Sequence, residues 1–305
     1  MLTQKPGIPE IREFTKNSAP LIHCITNPIS IHDCANMILA VGARPIMAEH
    51  PEEVEEITEV SSALMLNLGN ITDARIISMQ RALSTANRKN IPVLLDLVGV
   101  TCSQLRRSFA KKLLSQGVFS VIKGNISEIL AAAELPYHGT GIDAGSQDAV
   151  SVENQAWYCE TARHLAKHLN CTVMATGKKD LIADAESAFL VSNGHAALSG
   201  VTGTGCMVGA LTAAYLPGSK AIFTKSGIFE TSSLIPDKTK VSYGTAAALL
   251  AAVAMGISGE LAAEISKGPG SFQTALLDEV YAMTDETLLE KARLQEFLPQ
   301  NVETL

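Results

Sequence analysis

The chain has 305 residues, 47% of them hydrophobic and 18% charged, with a formal net charge of -7. That is enough apolar material for one large α/β core or two smaller ones, and the negative balance excludes a general nucleic-acid binder. Six cysteines at positions 24, 34, 102, 159, 171 and 206 form no CxxC pair, which points to reduced thiols and a cytoplasmic protein.

In chain order, the opening 16 residues carry charges and no apolar run, so no signal peptide is expected. Helical spacing covers about 29–41, and a strand is expected over 44–48. The acidic cluster Pro51-Glu52-Glu53-Val54-Glu55-Glu56 opens a helix over 52–60, where carboxylates suit the dipole. Strands at 63–68, 92–96, 118–123 and 172–176 alternate with helices at 73–89, 103–115, 127–133 and 152–169. A hairpin-like pair, 180–184 and 188–192, follows. The last third reads as helices at 205–215, 243–255, 260–266 and 272–283. Residues 216–240, with Pro217-Gly218 and Pro236-Asp237, read as an exposed loop excursion. Residues 241–259 lack charge but are mostly Ala, Gly, Ser and Thr, which suits a packed helix better than a membrane span. This alternation predicts a single α/β domain over 1–305 with a mostly parallel sheet covered by helices.

Ligands of such sheets gather beyond the carboxyl ends of the strands. The polar residues there are Asn67 and Gly69, Asp96, Lys123-Gly124-Asn125 and Thr176-Gly177. Most informative is Val201-Thr202-Gly203-Thr204-Gly205-Cys206, ahead of a small-residue helix, in a stretch (187–219) without Asp, Glu, Lys or Arg. Three readings compete: a tight turn before a core helix, a late dinucleotide fingerprint, or an anion hole of helix N-terminal amides at Gly203, Thr204, Gly205 and Cys206. The third gains from Lys123, which can meet a nucleotide phosphate. Asn125 and Glu128 share a helix face and could hold a hydrated Mg²⁺, although the same residues fit a capping box. Asp96 is placed to supply a second carboxylate. No Walker A sequence occurs, and His23, Cys24, His32 and Cys34 match no standard zinc spacing. Cys206 as an acyl-forming nucleophile finds no support beyond the nearby His195.

These residues resemble the hydroxyethylthiazole kinase family of the ribokinase-like superfamily. The resemblance rests on Pro20-Leu-Ile-His-Cys-Ile-Thr-Asn27, Gly42-Ala-Arg-Pro-Ile-Met-Ala48, Leu66-Asn-Leu-Gly69, Leu95-Asp-Leu-Val-Gly99, Lys123-Gly-Asn-Ile-Ser-Glu128, Ala175-Thr-Gly177, the glycine turn, and Gly268-Pro-Gly-Ser-Phe-Gln273. It implies a three-layer αβα fold and transfer of the ATP γ-phosphate, with Mg²⁺, to the hydroxyl of 4-methyl-5-(2-hydroxyethyl)thiazole. It also implies a homotrimer with active sites between subunits. Met47, Gly203 and Asn27 would contact the thiazole, Lys123 and Thr176 the ATP, and Asp96 and Glu128 the metal. Cys206 would stand where most of the superfamily places an Asp base, its thiolate favoured by the helix N-terminus. Leu97 replaces the usual Pro, Cys24 a usual Asn and Arg44 a small residue. A kinase for another small alcohol and a non-catalytic thiazole- or nucleotide-binding protein are the alternatives.

Overall fold

Short runs of branched apolar residues build the sheet because both of their faces are buried. In β3 (Ala63–Asn67), Ala63 and Met65 enter one hydrophobic core while Leu64 and Leu66 enter the other, as expected of a parallel strand covered on two sides. The computed structural model describes residues 7–139, 145, 150–226, 229–230 and 240–297. Among them, β1 (Leu21–Ile25), β2 (Arg44–Ile46), β3, β4 (Val93–Asp96), β5 (Val121–Asn125) and β6 (Thr172–Thr176) run parallel. Strands β7 (Asp180–Ala183), β8 (Ala188–Val191) and β11 (Leu294–Phe297) add antiparallel pairs, giving the order β11-β8-β7-β6-β5-β4-β3-β1-β2. A separate antiparallel ribbon pairs β9 (Phe229–Glu230) with β10 (Lys240–Val241).

One face of the sheet is covered by α1 (Ile8–Ser18), α2 (Ile31–Ala40), α8 (Thr204–Ser226), α9 (Tyr243–Ile265) and α10 (Pro269–Ala282), with α11 (Asp285–Lys291) against α9. The other is covered by α4 (Asp73–Arg88), α5 (Gln104–Gln116), α6 (Ile126–Ala132) and α7 (Gln155–Leu169), with α3 (Val54–Glu59) beside α4. The result is a three-layer αβα arrangement. Helix starts follow local chemistry: Thr72, Ser103, Ser242 and Thr284 side chains each accept a bond from a backbone N–H in the first turn.

Two expectations change at the level of elements. Residues 243–255 and 260–266 form one helix, α9, and α8 runs through Pro217-Gly218 to Ser226. The expected 216–240 loop is therefore helical over 216–226, while 227–228 and 231–239 lie outside the described residues. Gly218 is no breaker here: a Cβ at that position would stand 3.2 Å from the Ile11 carbonyl oxygen and 3.0 Å from the Phe14 ring, so glycine permits the close approach of α1. Both α8 and α9 are long and apolar enough to cross a membrane, but most of each is buried inside the fold.

The strand register lines up the polar residues that matter. Asn67 of β3 pairs with Asp96 of β4, Asp96 with Lys123 of β5, and Asn125 with Thr176 of β6. Four adjacent strands thus end on one rim.

Candidate active site

Above that rim lies a cavity of about 510 Å³ lined by Asn27, Ile29, Arg106, Lys123, Asn125, Glu128, Thr176 and residues 199–206. A larger hollow of about 750 Å³ sits between α5, α6 and α7. It is mostly Ala and Leu; its Lys111 is paired with Glu134 and its Arg107 with the Thr101 carbonyl. The chemistry belongs to the first cavity.

Its roof is the start of α8. Gly203 adopts φ +86°, a left-handed conformation that a side chain would strain. The Met207 N–H is the first to bond back into the turn, onto the Gly203 carbonyl, so the N–H groups of Thr204, Gly205 and Cys206 precede the helix ladder. The Thr204 hydroxyl donates to the Leu198 carbonyl at 2.9 Å and anchors the turn. A Cβ on Gly205 would stand 3.4 Å from Lys123 Nζ. The ammonium and the helix N-terminus therefore face the same small space, an arrangement for an anion.

Lys123 is buried and its Nζ donates to both oxygens of Asp96 at 3.2 Å. Burial pushes the ammonium down, but Asp96, Cys206 and Glu128 together outweigh it, so Lys123 keeps its proton. Burial raises the Asp96 carboxyl, against the pull of Lys123, the Val98 N–H and Asn67. Glu128 Oε1 accepts from the Gly99 N–H and Oε2 from the Asn125 N–H, both at 2.7 Å, closing a capping box with Asn125. Burial pushes its carboxyl up to about 7. The Thr176 hydroxyl donates to the Gly124 carbonyl at 3.2 Å.

Cys206 Sγ accepts from Asn27 Nδ2 at 3.4 Å and from Asn67 Nδ2 at 3.3 Å. Contrary to the expectation of a thiolate favoured by the helix N-terminus, burial and then Asp96 raise the Cys206 thiol. Desolvation outweighs the dipole, and the resting group is a thiol.

The same site can now be set beside known proteins. A family model described as the hydroxyethylthiazole kinase family matches residues 11–286. The chain belongs to the hydroxyethylthiazole kinase family. It is 43% identical over 288 residues to hydroxyethylthiazole kinase 2 of Clostridium botulinum strain Langeland, covering 94% of this chain and 100% of that protein. It is 40% identical to hydroxyethylthiazole kinase of strain Eklund 17B, over 92% of this chain and 94% of that one. A solved hydroxyethylthiazole kinase from Pyrococcus horikoshii superposes with a TM-score of 0.78 at 31% identity, covering 95% of this chain and 98% of the other. The three-layer αβα fold is thus the one the resemblance implied, and it is shared with that solved thiazole kinase.

Within this kinase-family fold, the cavity brings together Asn27, Lys123, Glu128, Thr176, Gly203, Thr204, Gly205 and Cys206. It does not bring in Met47, which is half-buried against the core beyond β2. Every polar valence of Asn27 is engaged within the protein: Oδ1 accepts from the Ile29 and Ser30 N–H groups, and Nδ2 donates to Asn67 and Cys206. A substrate can meet it only by packing.

The metal assignment divides. Asp96 is fully buried beneath Lys123, and each of its oxygens already holds Lys123 together with Val98 or Asn67. It is a counter-ion for Lys123, not a ligand reached from the cavity. Glu128 lines the cavity and keeps lone pairs beyond its two backbone bonds. Mg²⁺ needs only one or two carboxylates beside water and phosphate, so Glu128 fits and Asp96 does not. Among the described residues no group of three His, Cys, Asp or Glu side chains converges for a metal. The His23 ring is instead satisfied by Thr58 Oγ1 and the Ala48 carbonyl.

Two participants escaped the sequence reading. Arg106 Nη1 donates to the Leu68 carbonyl at 2.8 Å and to the Val98 carbonyl at 3.3 Å, tying the ends of β3 and β4 beside the cavity. Its signal was available: Arg106 and Arg107 stand in the first turn of a helix, where cations oppose the dipole and so need a tertiary reason. Asn67, read only as a rim residue, proves fully buried and bonded on both sides of its amide.

Proposed function

We propose that this chain transfers the γ-phosphate of ATP to the hydroxyl of 4-methyl-5-(2-hydroxyethyl)thiazole, giving the thiazole phosphate and ADP in thiamine biosynthesis or salvage. The observation that carries the reading is the Lys123 ammonium facing the glycine turn inside one cavity. Lys123 and Thr176 hold the ATP phosphates, and the N–H groups of the turn at Gly203, Thr204, Gly205 and Cys206 receive charge building on the phosphoryl group. That transition state is loose, so positioned donors matter more than base strength.

The alcohol packs against Asn27 and Gly203 with its hydroxyl at Cys206. As the new O–P bond forms and the bond to ADP breaks, the leaving electron pair goes to ADP. The alcohol proton passes late to the Cys206 sulfur in its thiolate form. Glu128 would hold Mg²⁺, which when bound supplies positive charge to the phosphate oxygens. We further infer a cytoplasmic homotrimer in which Met47 completes the thiazole site across a subunit boundary; the free cysteines accord with that compartment.

A coupled ADP-release assay with the thiazole alcohol, with and without Mg²⁺, tests the reading. ADP production that needs both is expected. ADP release only with other small alcohols would instead favour a relative of different specificity, and ligand binding without ADP a non-catalytic protein.

A further inference from the structure

The Cys206 sulfur is gripped by two carboxamides whose orientation the backbone dictates. The Gly69 N–H donates to Asn67 Oδ1 at 2.9 Å. That oxygen is thereby identified, and Nδ2 must face the opposite way, onto Asp96 Oδ2 at 3.0 Å and Cys206 Sγ at 3.3 Å. The Ile29 and Ser30 N–H groups donate to Asn27 Oδ1 at 3.1 and 3.2 Å. Its Nδ2 therefore faces Asn67 Oδ1 at 3.0 Å and Cys206 Sγ at 3.4 Å. Neither amide can flip without setting an NH₂ against a backbone N–H. Gly69 makes the interlock possible, since a Cβ there would stand 2.8 Å from Asn27 Nδ2 and 2.9 Å from Asn67 Oδ1.

The two amide donors, with the Ser30 hydroxyl beside them, take up the protein side of the sulfur, and Cys206 itself lines the cavity. We propose that Asn67, supported by Asn27, is a positioning residue that fixes the Cys206 sulfur as a hydrogen-bond acceptor and reserves its cavity side for the reacting hydroxyl. The inference rests on the reading of Cys206 as the group beside that hydroxyl. It adds that Asn67, far from the solvent and touching no substrate, works through the sulfur. The same amide also spans Asp96, so it links the counter-ion of Lys123 to the proton acceptor in one rigid unit.

Asn67→Asp separates this role from simple packing. The carboxylate keeps the shape and still accepts from Gly69 and Asn27, but it loses both donors and turns an acceptor toward the sulfur. In the native background kcat should fall at least about tenfold, with KM for ATP and thiazole changed less than about twofold. In a Cys206→Ala background the same substitution should lower kcat by a clearly smaller factor, because the sulfur is gone and only the contact of Asn67 with Asp96 remains to be disturbed. A second readout needs no turnover: iodoacetamide labelling of Cys206 at one fixed pH, read by peptide mass, should slow at least about fivefold as the thiolate loses a donor. Additive kcat losses, or unchanged labelling in the folded variant, overturn the assignment. If Asn67→Asp does not fold, Asn27→Asp carries the kcat and labelling tests, since it too removes one donor at the sulfur while keeping the backbone bonds; its KM for thiazole is not part of the test, because the alcohol packs against Asn27. Should the wild type make no ADP, the proposed activity fails and labelling alone still decides the positioning role.

Discussion

The Cys206 thiol sits where burial and the Asp96 carboxylate disfavour its anion, while Lys123, Ser30 and Asn67 favour it. The first pair wins, so the thiol lies above its ordinary range and the thiolate is a minor species at neutrality. The sign of the pH dependence follows. If the thiolate takes the alcohol proton, kcat at saturating substrates should climb with pH by up to about one log unit per pH unit through the neutral and mildly alkaline range. Cys206→Asp should remain active with a flattened profile, because a carboxylate between Lys123 and two amide donors is ionised across that range. Cys206→Ala should lower turnover substantially at every pH. A flat wild-type profile, or an Ala variant as fast as wild type, would leave catalysis to the amides and Lys123 alone.

Strands β3 to β6 were readable because each is a short apolar run ended by a polar residue, and β6 matches its expected bounds. Strand β1 was not read, although it lies between β2 and β3: His23 interrupts its apolar run, and only the contacts with Thr58 and Ala48 make that histidine a core residue. The site was legible in its chain-local parts, the glycine turn, Lys123 and Thr176. It was illegible where partners come from afar, as with Asn67 and Arg106, or where burial reverses an expected charge state, as with Cys206. Glycines mislead for a related reason. Gly256 and Gly259 resemble a break, yet α9 is continuous because both press against neighbours that a side chain would displace. A Cβ on Gly256 would meet Asn193 Cβ at 2.6 Å and its backbone carbonyl at 2.7 Å. Asn193 in turn accepts from the Arg293 N–H at the start of β11. Gly256→Ala should therefore cost about 1–3 kcal/mol by overpacking, despite better helix propensity. Thermal unfolding checks this, and a melting temperature equal to or above wild type would mean that the contact relaxes freely.

The cavity and the edge of the sheet together argue for a second copy. Ile29 lines the cavity yet is 60% exposed, and Leu39 on α2 is 53% exposed. Beside them β2 is an edge strand, which soluble proteins usually cover or blunt. Met47 follows β2 but stands outside the lining of the cavity in its own chain. Packing three copies so that one chain's β2 end closes its neighbour's cavity would cover the apolar rim and give Met47 a thiazole to touch. Light scattering should then report the mass of three chains. Subunit mixing asks the sharper question. Cys206→Ala and Met47→Glu, each folded and each impaired at low thiazole, should regain activity when exchanged into hybrid trimers, because some sites then pair an intact Cys206 with an intact Met47 from the neighbour. If Met47 serves the cavity of its own chain, every site in the hybrids carries one lesion, and the mixture stays at the average of its parents.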